Sequence, residues 1–205
     1  DKATGKFTRF KYNPNDLESL SNNAVLSILE DHEGGIWIGT NGGLNRFDRQ
    51  TSKFTRFAYN SQKPNGTSDK RIQVIFEDKS GILWIGTRNG LNVLQNVNEG
   101  FLHYMHNHTD TNSLSNDDIY SIYEDKSGHI WIGTLDGLNK FNRESRLFSH
   151  YKRESQDFSS LSNNFIKSII EDQDESLWIG TENGLNKFNL ITGKFARYNT
   201  DLKNP

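Results

Sequence analysis

The tetrapeptide Trp-Ile-Gly-Thr occurs four times in this chain, at 37–40, 84–87, 131–134 and 178–181, and each copy lies 47 residues after the one before. Other positions keep the same step. Glu-Asp recurs at Glu30-Asp31, Glu77-Asp78, Glu124-Asp125 and Glu171-Asp172, and Gly-Leu-Asn begins at Gly43, Gly90, Gly137 and Gly184. An aromatic pair recurs five times, as Phe7/Phe10, Phe54/Phe57, Phe101/Tyr104, Phe148/Tyr151 and Phe195/Tyr198. A chain with so strict a period folds as a series of equivalent units, each burying its apolar face on the next.

Local signals divide each unit into four strands. An apolar run precedes each Glu-Asp, at 25–29, 72–76, 119–123 and 166–170. A four-residue turn follows, opened by Asp and closed by Gly34, Gly81 or Gly128. The fourth copy has Glu175 in place of that glycine, so its turn is expected to be looser. The second strand carries the Trp, and tight Asn-Gly or Asp-Gly hairpins follow at 41–43, 88–90, 135–137 and 182–184. The third strand begins at Leu44 and its copies, and the fourth holds the aromatic pair. Helical periodicity is absent, and 17 Gly against 3 Pro suits short strands joined by tight turns.

A period in the forties with four strands per unit specifies an all-β fold, a β-propeller. The expected blades are four-stranded and cover about 13–57, 58–104, 105–151 and 152–198, with one extra outer strand at 6–10. At the curvature of a larger ring, four blades leave an apolar face bare at each end. The region is therefore expected to be a fragment or half of a larger ring, and a homodimer joined head to tail would close eight blades. In that dimer residues 7–10 of one chain and 195–198 of the other compete for one outer edge.

Composition narrows the function classes. Net charge is −2 with no basic run, so no nucleic-acid partner is expected. With no Cys there is no disulfide, thiol nucleophile or thiolate metal site. No apolar run is long enough to span a membrane, so no membrane contact by this segment is expected. The chain opens inside the repeat, at Thr4-Gly5-Lys6-Phe7, and reads as a piece of a longer protein.

The succession Leu-Ser-Asn-Asn, Ser-Ile-x-Glu-Asp, Ile-Trp-Ile-Gly-Thr and Gly-Leu-Asn-Lys-Phe-Asn, best kept at 161–189, resembles the two-component-regulator propeller repeat. The WD40 signature is missing. The resemblance implies a periplasmic sensor portion of a membrane-spanning signalling protein, a hybrid histidine kinase or a diguanylate cyclase, with an oligosaccharide or other small molecule as ligand. No enzyme and no cofactor are expected, because no Ser/His/Asp arrangement, Cys or metal-ligand set is placed at the channel mouth. The alternatives are a propeller lyase and a purely structural protein–protein interaction scaffold.

Residues that repeat are expected to build the scaffold. The four Trp pack between blades, the Glu-Asp pairs satisfy backbone donors in the turn, and Arg9, Arg56, His103, His150 and Arg197 guard the outer edge with charge. His103, His106 and His108 lack a converging ligand set, and no metal is expected there. A binding site has to lie where the copies differ. Before the first strand they read Ala24, Arg71, Asp118 and Phe165; one position earlier, Asn23, Lys70, Asp117 and Asn164; and in the hairpin, Asn41, Arg88, Leu135 and Glu182. Lys70, Arg71, Arg88, Asp117, Asp118, Phe165 and Glu182 are the candidate ligand-binding residues, suited to a polar ligand or a partner loop. No catalytic residue is assigned.

Overall fold

The repeat becomes four sheets, each an antiparallel meander of four strands in chain order. The computed structural model describes residues 4–57, 59, 66–96 and 100–198. The first sheet holds β1 (Val25–Glu30), β2 (Ile36–Thr40), β3 (Gly43–Asp48) and β4 (Lys53–Phe57); the second holds β5 (Ile72–Glu77), β6 (Leu83–Thr87), β7 (Leu91–Asn96) and β8 (Gly100–Tyr104). The third holds β9 (Ile119–Glu124), β10 (Ile130–Thr134), β11 (Gly137–Phe141) and β12 (Phe148–Tyr151); the fourth holds β13 (Ile166–Glu171), β14 (Ser176–Thr181), β15 (Gly184–Asn189) and β16 (Lys194–Tyr198). First strands pack on first strands, β1 on β5, β5 on β9 and β9 on β13, with no comparable junction between β13 and β1. The blades thus form an open arc with their first strands innermost.

Each repeated residue has a place in this packing. Asp31, Asp78, Asp125 and Asp172 accept the N–H four residues on with Oδ1, and the indole N–H of their blade's Trp with Oδ2 at 2.7–2.8 Å. The turn role foreseen for the acidic pair holds for Asp. Glu reaches instead into the preceding blade, where Glu77, Glu124 and Glu171 accept the N–H of His32, Lys79 and Lys126 at 2.8, 2.6 and 2.7 Å. Trp37, Trp84 and Trp131 are buried; Trp37, for example, packs among Ile72, Ile75 and Ile85 of the next blade. The glycine after each of the first three Trp-Ile pairs lets the next blade come close. A Cβ on Gly86 would stand 2.6 Å from Ile119 Cγ2, and one on Gly39 the same distance from Ile72 Cγ2.

Three expectations need correcting. Residues 6–10 form no strand. A fourth strand is held by the third strand of its own blade, and among the described residues no such strand pairs with 6–10. Phe10 still takes the place of a fourth-strand aromatic, lying 5.0 and 5.5 Å from Phe47 and Phe54 much as Tyr104 lies 5.1 and 5.5 Å from Phe141 and Phe148. The fourth turn keeps its shape, because Glu175 adopts φ +58° and Asp172 N–H still reaches Ser176 O at 2.9 Å. What it loses is the bond from the glycine N–H of the other three turns to the Asp carbonyl. Finally, the cations of the outer strands tie down the loop before the first strand. Arg56 Nε donates to Ser19 O and Arg197 Nε to Ser160 O, both at 2.8 Å, while His103 and His150 reach Gly66 O and Ser113 O. That loop runs along the outer edge and covers it, as the bonds from Phe54 N–H to Glu18 O and from Phe195 N–H to Ser159 O show.

The ends of the arc are bare. Ile28 is 67% exposed where Ile75 and Ile122 are 6% and 7%, and Leu185 is 40% exposed where Leu44, Leu91 and Leu138 are 0%.

Candidate functional site

One end of every blade is built to present side chains. Asn22, Asp69, Asn116 and Asn163 each accept, through Oδ1, the N–H two residues on, at 2.6–2.9 Å. This Asx turn sets up Ala24, Arg71, Asp118 and Phe165. The loop is fixed from below by Ser21, Ser68, Ser115 and Ser162, whose N–H groups donate to the fully buried Asn45, Asn92, Asn139 and Asn186 at 2.7–2.9 Å. The hairpin joins the same end, with N–H of Asn41, Leu135 and Glu182 donating to the carbonyls of Ala24, Asp118 and Phe165 at 3.0–3.1 Å. The loop before the first strand and the hairpin thus share one hydrogen-bonded end of each blade, while the turns that follow each Glu-Asp lie at the other end of the strands.

A second set of variable residues enters the same surface through a feature the sequence reading missed. Pairing passes from Ile72↔Thr87 to Val74↔Gly86, leaving Gln73 without an opposite residue, and the same shift frees Leu26, Tyr120 and Lys167. A bulge of this kind re-aims the extra side chain. Gln73 Nε2 reaches across to the third blade, donating to Asp118 Oδ1 at 2.5 Å and to Ile119 O at 2.9 Å. Tyr120 donates its hydroxyl to Asp118 Oδ2 at 3.2 Å and packs its ring 4.5 Å from Phe165 of the fourth blade. Lys167 Nζ lies 5.2 Å from the centre of the Phe165 ring and forms an ion pair with Glu182. Asp118, Phe165 and Glu182, chosen from sequence, are thus brought together by three residues that were not. The signal was available as Leu, Gln, Tyr and Lys at one phase of otherwise similar strands.

The other candidates sort by geometry. Asp117 Oδ1 accepts His106 N–H at 2.6 Å, as Asn23 accepts Tyr12 N–H and Asn164 accepts Arg153 N–H, so this position fastens a loop. Lys70, its exposed counterpart, cannot accept such a bond. Arg71 and Arg88 each stand one residue beyond the Ile72↔Thr87 pair of strand neighbours, at the same end of the blade. Burial pushes the Tyr120 hydroxyl above its usual range, and the charge of Asp118 and the bond to it add to this, while Arg88 and Arg71 oppose. His106 Nε2 lies 3.1 Å from His108 Nδ1, but among the described residues no group of three or more His, Cys, Asp or Glu is gathered to hold a metal.

Antiparallel meanders arrayed with their first strands inward and their apolar faces stacked define the blades of a β-propeller. The model of the two component regulator propeller family matches the chain once per blade, at residues 19–42, 66–89, 113–136 and 160–183. The chain is built of two-component-regulator propeller repeats. Among solved structures it is similar to the extracellular domain assigned to a hybrid two component system of B. thetaiotaomicron, with 25% identity and a TM-score of 0.63, over 88% of this chain and 31% of that one. It is similar in fold to virginiamycin B lyase from Staphylococcus aureus, with 15% identity and a TM-score of 0.64, over 87% of this chain and 56% of the lyase. PorZ, a surface component of the type-IX secretion system of Porphyromonas gingivalis, matches with 16% identity and a TM-score of 0.66, over 93% of this chain and 29% of that one. No curated protein matches. Among the described residues no helix is long and apolar enough to cross a membrane.

Proposed function

We propose that this propeller region is a ligand-sensing module of an extracytoplasmic signalling protein, located in the periplasm, and that it binds an oligosaccharide or similar small polar molecule without chemically changing it. The observation that carries this reading is the rim spanning the second to fourth blades. There one rigid backbone design, repeated, presents Gln73, Asp118, Tyr120, Phe165 and Lys167 at positions where a scaffold needs no particular residue. An aromatic pair beside amide, carboxylate and ammonium groups suits the apolar faces and hydroxyls of a sugar. The extracellular sensor domain from B. thetaiotaomicron, which shares the repeat, supports the signalling role and the location. A lyase reading rests on likeness of fold alone. It is disfavoured by the rim, where both oxygens of Asp118 are engaged by Gln73 and Tyr120 and no histidine stands beside them.

Screening the protein against an array of neutral and acidic oligosaccharides tests the proposal. Binding is expected, and Phe165→Ala and Gln73→Ala should abolish it while the fold is kept. Binding that survives both changes would place the ligand elsewhere.

Assembly extends the same reading. Ile28 at one end of the arc and Leu185 at the other are halves of the junction made three times within the chain, and a second copy supplies the missing half of each. A head-to-tail homodimer would close eight blades, with Phe10 of one chain and Tyr198 of the other competing for one aromatic slot.

A further inference from the structure

Resting on that reading of the rim, we infer that its second-blade sector, Arg71 with Arg88, is an anion subsite, so that the ligand is an oligosaccharide carrying a carboxylate or sulfate group. The two arginines stand at the same end of β5 and β6, each one residue beyond the pair Ile72↔Thr87, and the charge of both acts on the Tyr120 hydroxyl. Like charges placed opposite one another on neighbouring strands repel. Among the described residues neither guanidinium makes an ion pair within 4.0 Å or a hydrogen bond, and Arg71 Nε is buried without a partner. An unsatisfied buried N–H of a cation is costly to maintain, so the arrangement is incomplete as it stands.

The carboxylates around the pair are already in use. Asp69 accepts the N–H of Arg71 itself at 2.6 Å, Asp117 accepts His106 N–H, and Asp118 is held between Gln73 and Tyr120. Exposed Lys70 adds a third positive charge beside them. The equivalent positions of the other blades carry Ala24 with Asn41, Asp118 with Leu135, and Phe165 with Glu182, so no structural rule of the repeat calls for a double cation. A carboxylate or sulfate bridging the two guanidinium forks satisfies the donors and offsets their charge at once. Gln73, on the bulge between this pair and Asp118, joins the anion subsite to the aromatic pair Tyr120 and Phe165, so one ligand spans both.

The experiment is a titration of wild type, Arg71→Gln and Arg88→Gln with a galacturonic acid oligomer, a sulfated galactose oligomer and the neutral galactose oligomer, followed by calorimetry and by the NMR signal of the Arg71 Nε–H. The acidic sugars should bind at least tenfold more tightly than the neutral one and lose that margin in each variant and at high salt. The Arg71 Nε–H signal should shift on binding, and the variants should melt no lower than wild type. The tighter of the two acidic oligomers identifies the anionic group. Equal binding of neutral and acidic sugars, unaffected by either substitution, would overturn the anion subsite and leave the sugar-binding rim intact. If no sugar binds, titration with inorganic sulfate decides: a shift of the Arg71 Nε–H upholds the anion subsite while the carbohydrate reading falls, and no shift overturns the subsite as well.

Discussion

The carboxylate of Glu124, on the third blade, accepts the backbone N–H of Lys79 on the second at 2.6 Å, and the ammonium of Lys79 returns a bond to Asp125 O at 2.7 Å. The exchange recurs between Lys126 and the fourth blade, where the backbone N–H meets Glu171 and the ammonium meets Asp172 O. Between the first and second blades His32 takes the lysine's position and binds Glu77 through both its N–H and its ring. Glu30, on the first blade, pairs with Arg49 of its own blade at the surface instead. Glu124→Ala should therefore cost about 1–3 kcal/mol, the range for leaving a partly buried donor unpaired. Glu30→Ala should stay within about 0.5 kcal/mol. Thermal melts of the two variants make the comparison, and equal losses would mean that the bond between blades contributes nothing special.

Tryptophan should divide the same way. Trp84→Ala and Trp131→Ala empty a site closed by the next blade and should each cost about 3–5 kcal/mol. Trp178, on the bare face of the fourth blade, should cost visibly less. Denaturant titration of the three variants measures the difference, and an equal loss at Trp178 would indicate that something covers that face in solution.

Acid should loosen the turns. Burial pushes the carboxyls of Asp78 and Asp125 up, but the indole N–H of Trp84 or Trp131, the turn amides and the neighbouring Arg143 or His129 outweigh it and hold both below the usual carboxylate range. Groups depressed in the folded state lend stability above their ordinary pKa and withdraw it as pH falls through the folded value. The melting temperature should therefore be level near neutrality and fall below about pH 4. Asp125→Asn should lower the plateau and flatten the acid limb, whereas an unchanged limb would show that this carboxyl is not responsible.

Glu175 sits at φ +58° where the other three turns use glycine. A side chain there costs about 1–2 kcal/mol, partly offset by the greater freedom of glycine in the unfolded chain. Glu175→Gly should thus stabilise the protein by about 0.5–1 kcal/mol and let residue 175 regain the bond to Asp172 O. A lower melting temperature would show that the carboxylate makes a contact worth more than the strain.

Light scattering tests the proposed assembly. Two chains joined head to tail should give twice the 23.5 kDa mass of one, and Leu185→Glu should return the protein to a monomer without lowering the melt of the blades. A wild-type mass near 23.5 kDa at micromolar concentration would sink the dimer.

The fold was legible because periodicity carries its own alignment: four copies show at once which residues packing requires, and strand, turn and hairpin residues fell where the 47-residue step put them. What stayed hidden was direction. Glu and Asp stand side by side, yet one serves its own turn and the other the neighbouring blade, and no spacing distinguishes them. In reverse, the positions where the copies disagree pointed to one end of the blades, where Asp118, Phe165 and Glu182 are linked through Tyr120 and Lys167. That Asp117 fastens a loop was not visible, because such a fastener can vary between Asn and Asp. Gln73, Tyr120 and Lys167 were missed because a bulge lies inside what the sequence presents as one uninterrupted apolar strand.

That bulge gives each blade a spare letter. Leu26, Gln73, Tyr120 and Lys167 take no part in the ladder, so any of them can be rewritten without disturbing the pairing on either side. On the proposed reading of the rim, a mutation that alters its chemistry can leave the stability of the chain nearly untouched, so new specificities would be reachable by single steps through folded intermediates. The same slots are the natural place to randomise a library on this scaffold.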